Sequence, residues 1–405
     1  MTATQETVTP LRRNREFRLL WVGQALSDFG SEMTALAVPL TLLAAGYAPA
    51  TAGLLGTVVL VVGLVIRVPS GYLADRYDQR TLMLVCDLAR LVAVAIVAVL
   101  AFVGPLPLWS AFALVIVSGV ALEVFRPSQS KVVRRVVPVD QLSQAVSLNQ
   151  ARTYAATIVA PAAAGLLLSV AAWAPFAVDA VTFAISASCV ALLARSPSSG
   201  QPAVRERFLR QVAAGWRYLV RDRFLRWSSL FFALLNVTFS ALTFALILGT
   251  AGQPGGAAAV GVALSTAAVA GLAGSLIAPT AAKRLSLRTV LAAGPVIAAA
   301  LLVVAWSGGG TIPFVAAFST LCLFAPVTGA VLATILAKAV PEEIYGRVTA
   351  ASSFTAQVLQ PLGPLAAGIL LTEASFGMTA GLFAITLSAL AALAVLLPAP
   401  QHSAH

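Results

Sequence analysis

Residues 71–80 read Gly71-Tyr72-Leu73-Ala74-Asp75-Arg76-Tyr77-Asp78-Gln79-Arg80, a short charged joint between apolar runs at roughly 52–70 and 81–103. An α-helix needs roughly 20 apolar residues to cross a hydrocarbon core, so each flanking run can be a span and the joint a turn at the membrane surface. The same alternation continues outward to both ends. Apolar runs at about 17–45, 52–70, 81–103, 107–126, 144–171, 174–194, 226–248, 257–281, 288–306, 312–333, 347–372 and 377–397 make twelve spans. Gly104-Pro105-Leu106-Pro107, Gln253-Pro254-Gly255-Gly256 and Gly308-Gly309-Gly310 punctuate the short joints. Barrel-type alternation is absent, so the backbone hydrogen bonds that lipid demands must be closed within helices.

Of the 405 residues, 59% are hydrophobic and 10% charged, where soluble globular chains carry about 25% charged residues. The net charge of +11 could suggest a nucleic-acid partner, but its distribution argues for topology. The N-terminus and the joints near 71–80, 127–143, 195–225, 282–288 and 334–347 hold nearly all 26 basic residues. The alternate joints, near 46–51, 104–106, 172–173, 249–256, 307–311 and 373–376, hold none. The positive-inside rule then places both termini in the cytoplasm and the chain in the cytoplasmic (inner) membrane, with no nucleic acid involved. Arg90 and Arg152 are the exceptions inside spans. Cys86, Cys189 and Cys322 lie far apart in apolar runs, with no disulfide or metal-ligand spacing. The only histidines, His402 and His405, sit in the C-terminal tail, which rules out a histidine relay in the membrane. The N-terminus is polar up to Arg15 and shows no cleavable signal; Phe17 opens the first span. One long polar stretch, Arg195 to Arg223, contains an amphipathic segment from Phe208 to Leu219 expected to lie on the membrane face.

The halves resemble each other at an offset near 205. Arg76-Tyr77-Asp78-Gln79-Arg80-Thr81 aligns with Arg284-Leu285-Ser286-Leu287-Arg288-Thr289, and Pro138, Pro161 and Gly165 align with Pro341, Pro364 and Gly368 at 203. An all-α membrane fold of two pseudo-symmetric six-helix bundles follows, with residues 1–194 and 226–405 as the bundles and 195–225 as a cytoplasmic linker. Substrate sites in such folds are expected near the midplane between the halves.

The 71–80 joint resembles the signature G-x-L-A-D-R-x-G-R-[RK] of the major facilitator superfamily. It keeps Gly71, Asp75, Arg76 and Arg80, with Asp78 in place of a glycine and Gln79 in place of a basic residue. Phe17-Arg18-Leu19-Leu20-Trp21, Ser27-Asp28-Phe29-Gly30-Ser31, Arg134-Arg135-Val136-Val137-Pro138, Leu142-Ser143-Gln144-Ala145 and Gly215-Trp216-Arg217-Tyr218-Leu219 are similar to the branch holding macrolide-type drug exporters and enterobactin-type siderophore exporters. That resemblance implies efflux by proton antiport, with the proton gradient as driving force and no cofactor. Ala160-Pro161-Ala162-Ala163-Ala164-Gly165 resembles the antiporter motif G-P-x-x-x-G, and Gly363-Pro364-Leu365-Ala366-Ala367-Gly368 is the cleaner copy. The resemblance also implies a cytoplasmic gate of Gly71, Asp75, Arg76, Arg80 and Asp87. When the protein faces outward, that latch is expected to bring Asp75 to a helix N-terminus in the other half and Arg80 to Glu123.

An ionisable residue inside a span costs roughly 2.5–3.5 kcal/mol on insertion scales, so each needs a reason. Asp28 lies about eleven residues into the first span, roughly 16 Å deep at 1.5 Å per residue, and Glu32 follows on the same face. Two acids one turn apart repel when both are ionised, which suits a proton-coupling site. Asp28 is otherwise a structural partner for an arginine such as Arg152, and Glu32 a solvated residue near the outer mouth. Asp87 with Arg90, and Glu123 with Arg126, form i,i+3 pairs; Arg90 is either paired with Asp87 or Glu123 or offered to an anionic substrate. Asp179 has no partner that spacing can name. From Leu230 to Ala282 no ionisable residue occurs, so coupling chemistry is expected in the N-terminal half. Asn236, Thr238, Phe239, Phe244, Phe318, Phe324 and Gln357 offer the other half's neutral polar and aromatic surface, suited to an amphipathic organic molecule, cationic ones included.

No clustered His, Ser/His/Asp or metal set points to an enzyme, no G-x-x-x-x-G-K loop points to ATP, and no large soluble domain points to a receptor. The expectation is a monomeric secondary transporter whose partners are the bilayer, protons and a small molecule. Export of a hydrophobic or amphipathic cargo leads, ahead of siderophore export and proton-coupled nutrient import.

Overall fold

In lipid each backbone N–H and C=O must find its partner within the chain, and helices satisfy that demand locally. The computed structural model describes residues 11–194, 215–252 and 256–398, and no strand occurs among them. The helices are α1 (Arg15–Ala44), α2 (Pro49–Arg76), α3 (Gln79–Val103), α4 (Leu108–Val136), α5 (Leu142–Val170), α6 (Ala174–Ala191), α7 (Arg223–Ala251), α8 (Gly256–Arg284), α9 (Leu287–Val304), α10 (Thr311–Ala339), α11 (Glu342–Gln357), α12 (Leu362–Glu373) and α13 (Phe376–Leu396). Since α11 and α12 are two halves of one span, the chain is an all-α membrane protein of twelve spans. Eleven are long and apolar enough to cross a membrane on composition alone among the described residues. The twelfth is α1, 30 residues long, whose apolar character is lowered by Asp28 and Glu32. Large apolar side chains such as Phe102, Leu276, Ile312 and Ile385 stand exposed, as a lipid-facing exterior requires. Residues Phe208 to Ala214 of the expected amphipathic segment, and His402 and His405, lie outside the described residues, while 215–221 form a helical turn.

Two compact units result. One comprises residues 11–37, 62–160 and 170–194, with a core around Phe17, Met83, Phe125 and Val190. The other comprises 38–61, 161–169 and the described residues from 215 onward, with a core around Phe231, Leu242, Phe314 and Leu387.

The internal repeat is visible in the helix ends. Asp78 caps α3 by accepting from the Thr81 amide at 2.8 Å, and Ser286 caps α9 by accepting from the Thr289 amide at 3.1 Å. The two caps are 208 residues apart, as are the C-terminal ends of α2 and α8. The ends of α4 and α10, and of α5 and α12, are 203 apart. Asp78 therefore has a local structural purpose: its carboxylate satisfies an N-terminal N–H that a glycine side chain cannot reach.

The eleventh span, expected over roughly 347–372, is present and carries a break at 358–361 between α11 and α12. Pro361 and Pro364 have no N–H to donate, so the ladder cannot pass through. Three tighter bonds take over, each 3.0 Å, from the amides of Gln360, Leu362 and Gly363 to the carbonyls of Gln357, Leu359 and Gln360. The Thr57 hydroxyl of α2 donates to the Pro361 carbonyl at 2.6 Å. At an offset of 203 the first repeat has Ile158 where Pro361 stands, and α5 runs through unbroken, with Pro161 inside it.

Within the second unit, glycines let backbones touch. A Cβ on Gly368 of α12 would stand 2.7 Å from the Pro49 carbonyl and 2.9 Å from Ala50 Cα on α2. A Cβ on Gly165 would stand 2.5 Å from the Ala257 carbonyl and 2.9 Å from Ala258 Cα on α8. Gly53 faces Pro364 and Gly368 as Gly261 faces Pro161 and Ala162, so the two crossings are copies of each other. Small residues are what membrane helices need to approach this closely. Pro161, Gly165, Pro364 and Gly368 thus form seams between helices. Gly368→Ala and Gly165→Ala should each lower stability in detergent by about 1–3 kcal/mol, read by thermal unfolding. Gly346→Ala, where nothing lies within 4 Å of the added carbon, should cost nothing.

Candidate transport site

The charged residues of the first unit fall into three groups. On α1, Asp28 meets Arg152 of α5, with Oδ2 and Nε 3.0 Å apart. The guanidinium is buried and Asp28 partly so. Of the roles left open for Asp28, pairing with Arg152 is the one its geometry displays. Arg152 Nη1 has no hydrogen-bond partner among the described residues. Glu32 is half-buried one turn further on, in the field of Asp28 and Arg126.

The second group is fully enclosed between α1, α3 and α6. Asp87 accepts from Ser186 Oγ at 2.7 Å, and Ser186 accepts from Gln24 Nε2 at 3.4 Å. Arg90 donates from Nη2 to Ser31 Oγ at 2.9 Å and lies 4.3 Å from the Phe183 ring centroid, a cation–π contact. Asp179 Oδ2 accepts from the Thr34 hydroxyl at 2.6 Å, while the Thr182 hydroxyl lies 2.8 Å from the Asp179 backbone carbonyl and 3.1 Å from Oδ1. Gly30 makes room for it, since a Cβ there would collide with the Asp179 carboxylate. The expected pairing of Arg90 with Asp87 or Glu123 is corrected: no ion pair within 4 Å joins them among the described residues, because the guanidinium reaches α1 and α6 instead. Asp179, left without a partner by spacing, gains the Thr34 hydroxyl.

The third group lies at the inner ends of the helices. Glu123 pairs with Arg67 at 3.5 Å and Arg126 at 3.6 Å. Asp75 pairs with Lys131, which also donates to the Ala74 carbonyl at 2.7 Å. Arg80, in the first turn of α3, donates to the Val190 and Ala191 carbonyls at the end of α6. A cation at a helix C-terminus answers unpaired carbonyls and the negative end of the dipole. In this structure Arg80 is thus held by the α6 carbonyls and Glu123 by Arg67 and Arg126, whereas the Arg80–Glu123 contact is the one expected for the outward-facing state. Arg76 holds the Tyr72 hydroxyl one turn back at 2.8 Å. Gly71 has nothing within 4 Å of its missing side chain.

The second unit holds a cavity of about 610 Å³ lined by α7, α9, α10 and α11, with no charged side chain on its wall. Asn236 crosses from α7 to donate to the Ala356 carbonyl on α11 at 3.1 Å. Phe239 stacks on Phe318 with centroids 5.1 Å apart, and Phe324 completes an aromatic side. Phe244 instead packs on Gly56 and is a structural residue. Ser228, Thr328, Thr349, Ser352 and Gln360 give the wall hydroxyl and amide groups. Of the neutral residues the sequence offers, Asn236, Phe239, Phe324 and Gln357 line the cavity; α11's small polar residues Thr349, Ser352 and Ser353 join them, a run that the sequence displays as plainly.

The family model described as Major Facilitator Superfamily matches residues 20–255. Macrolide efflux protein A of Streptococcus pyogenes is 28% identical over 230 residues, 55% of this chain and 54% of that protein, so the aligned part is about half of each. Macrolide efflux protein A of Enterococcus faecalis is 29% identical over 171 residues, 41% of this chain and 50% of that protein. An uncharacterized MFS-type transporter of Sinorhizobium fredii is 26% identical over 391 residues, 93% of both chains. Among solved structures, the nucleoside transporter NupG superposes with a TM-score of 0.73 at 13% identity, covering 94% of this chain and 98% of that one. A bacterial homologue of the iron transporter ferroportin, in an inward-facing state, gives 0.73 at 16%, covering 95% and 98%. At such identities the likeness is one of fold.

Breaking the Asp28–Arg152 pair from one side leaves a buried charge unanswered. Asp28→Ala should destabilise the protein in detergent by about 3–5 kcal/mol. Asp28→Ala with Arg152→Leu should recover most of that loss, and a double-mutant cycle by thermal unfolding measures the coupling.

Proposed function

The chain belongs to the major facilitator superfamily, and from that premise we propose that it is a proton-coupled exporter of a hydrophobic or amphipathic small molecule. It is a multi-pass membrane transporter; direction, cargo and coupling ion are the proposed part. The observation that carries the reading is the division of labour between the units. Every ion pair among the described residues is in the first unit, and the cavity of the second is neutral, aromatic and hydroxyl-lined. A wall of that kind suits a bulky organic molecule with scattered hydroxyl or amide groups, whose apolar area supplies affinity and whose polar groups set orientation. The names of the macrolide efflux relatives agree with such a cargo.

Siderophore export would draw on cationic side chains for an anionic cargo. Arg90 is enclosed against Ser31 and Phe183, and Arg152 already faces Asp28, which favours the neutral or cationic cargo. The cytoplasmic location of both ends, inferred from the basic joints, orients the transporter in the inner membrane. In this reading Asp28 is the carboxylate whose proton competes with Arg152. Asp75, Arg76 and Arg80 form the cytoplasmic gate through the Lys131 pair and the α6 carbonyls.

Cells with and without the gene should differ in accumulation of macrolide-like antibiotics and amphipathic dyes, and should not differ for siderophores; the reverse pattern overturns the cargo assignment. In everted vesicles Asp28→Asn should abolish gradient-driven uptake while ligand binding by the purified protein persists. Undiminished transport would take Asp28 out of the coupling. Phe239→Ala and Asn236→Ala should each weaken cargo binding by roughly tenfold, about 1.4 kcal/mol, measured by fluorescence titration.

A further inference from the structure

Two ion pairs join the inner ends of α2 and α4, and both keep one register. Arg67 meets Glu123 at 3.5 Å and Asp75 meets Lys131, the partners 56 positions apart in each case. A step of eight residues along α2 is thus a step of eight along α4, so the two helices run parallel there. Further back, a Cβ on Gly119 of α4 would stand 3.0 Å from Val62 Cγ1 of α2, in nearly the same register. The two pairs have opposite senses: Arg67 puts the cation on α2, and Lys131 puts it on α4. A slip by that step would set Arg67 against Lys131, or Asp75 against Glu123. Like charges oppose it, so the alternation specifies one register, as flanking charges do in paired helices.

Lys131 Nζ donates both to the Asp75 carboxylate and, at 2.7 Å, to the Ala74 carbonyl. That carbonyl lies in the last turn of α2, where intrahelical donors run out and the helix dipole favours a cation. Gln79 Nε2 donates to the same carbonyl at 3.2 Å. Position 79 and Lys131 therefore reach one point from two sides. The signature that the joint resembles has a basic residue at 79, whereas this chain has a neutral amide there and a lysine on α4. A second cation at 79 would stand beside the ammonium and be repelled. Neither neighbouring arginine competes, since Arg76 turns to Tyr72 and Arg80 to the α6 carbonyls.

We propose that Lys131 is a positioning residue of the inner gate, supplying from α4 the single cation that the Ala74–Asp75 seat takes and that Gln79 does not bring. A basic residue at 79 would fasten the end of α2 to its own joint. Lys131 fastens it to α4 instead, so the inner ends of α2 and α4 and the joint between α2 and α3 move as one piece. Both pairs are partly exposed and add little to stability, so their work is to fix register. The inference rests on the gate assigned above for its place in transport, whereas the seat itself is testable without cargo.

Ser70, 3% exposed on α2 between the two ties, reports whether they hold. With Cys86, Cys189 and Cys322 replaced by alanine, Ser70→Cys in the purified protein should react slowly with a polar maleimide. Lys131→Ala should raise that rate about fivefold by letting the helix end open locally. Adding Gln79→Arg should restore the slow rate, because the arginine takes the vacated seat, and adding Gln79→Leu should not. Lys131→Gln, which removes the charge but keeps a long polar side chain, should behave as Lys131→Ala and serves where the alanine variant does not fold. A rate indifferent to loss of the lysine charge, a failure of Gln79→Arg to restore it, or equal rescue by Gln79→Leu overturns the proposal. In cells, Lys131→Ala should slow efflux of an amphipathic dye at unchanged half-saturation, and Gln79→Arg should recover it. A wild-type protein that exports no dye removes the export reading above, and the labelling series still decides the seat.

Discussion

Water is absent from a bilayer core, so an ionisable side chain placed there must be answered by another group of the same protein. Much of the arrangement of the first unit follows from that constraint. Asp28 has Arg152; Glu123 has Arg67 and Arg126; Arg90 has a hydroxyl and an aromatic face; Asp179 has the Thr34 hydroxyl. The answers differ in kind, and the difference matters. An ion pair is neutral as it stands, while a carboxylate answered by hydroxyls still carries its charge.

The second unit is assembled on another basis. It has almost no buried charge, so helix association there relies on close packing, and lipid gives no hydrophobic drive between helices. Glycine at 53, 165, 261 and 368 supplies the missing contact by letting carbonyls of one helix lie against Cα atoms of the next. That places a motif such as Gly363-Pro364-Leu365-Ala366-Ala367-Gly368 in a physical role before any functional one. Its glycines are where they are because α7 and α2 pass within van der Waals reach of α12.

The twelve spans, the joints and the repeat were legible because hydropathy, basic residues and prolines act locally, each through its own position along the chain. Ion-pair partners were not, because they depend on which helices become neighbours. Arg80 reached the end of α6, and Asp75 found Lys131, a residue 56 positions away that no i,i+3 or i,i+4 rule connects to it. Two features missed were within reach of local reasoning. Asp179, Thr182, Phe183 and Ser186 recur at helical spacing on one face of α6, a polar stripe that an apolar span does not need unless it packs on charge. Pro361, three residues before the motif proline Pro364, predicts the break that α5 lacks.

That break is the clearest divergence between the repeats, and it has a consequence for the cavity. Of the helices lining the neutral pocket, α11 contributes Tyr345, Thr349, Ser352 and Ser353, and it is α11 that the break detaches from its continuation. Its partner α12 is held by Gly363 against α7 and by Gly368 against α2, so the anchored half is the one without cavity hydroxyls. A half-helix that carries the cavity hydroxyls and ends in proline-broken turns is set apart from the helix that makes the seams. In the first repeat the equivalent span is unbroken and bears Arg152. One duplicated architecture has thus placed a buried arginine in its first copy and a polar cavity wall beside a proline-broken turn in its second, and at the break proline stands at 361 where the other repeat has Ile158.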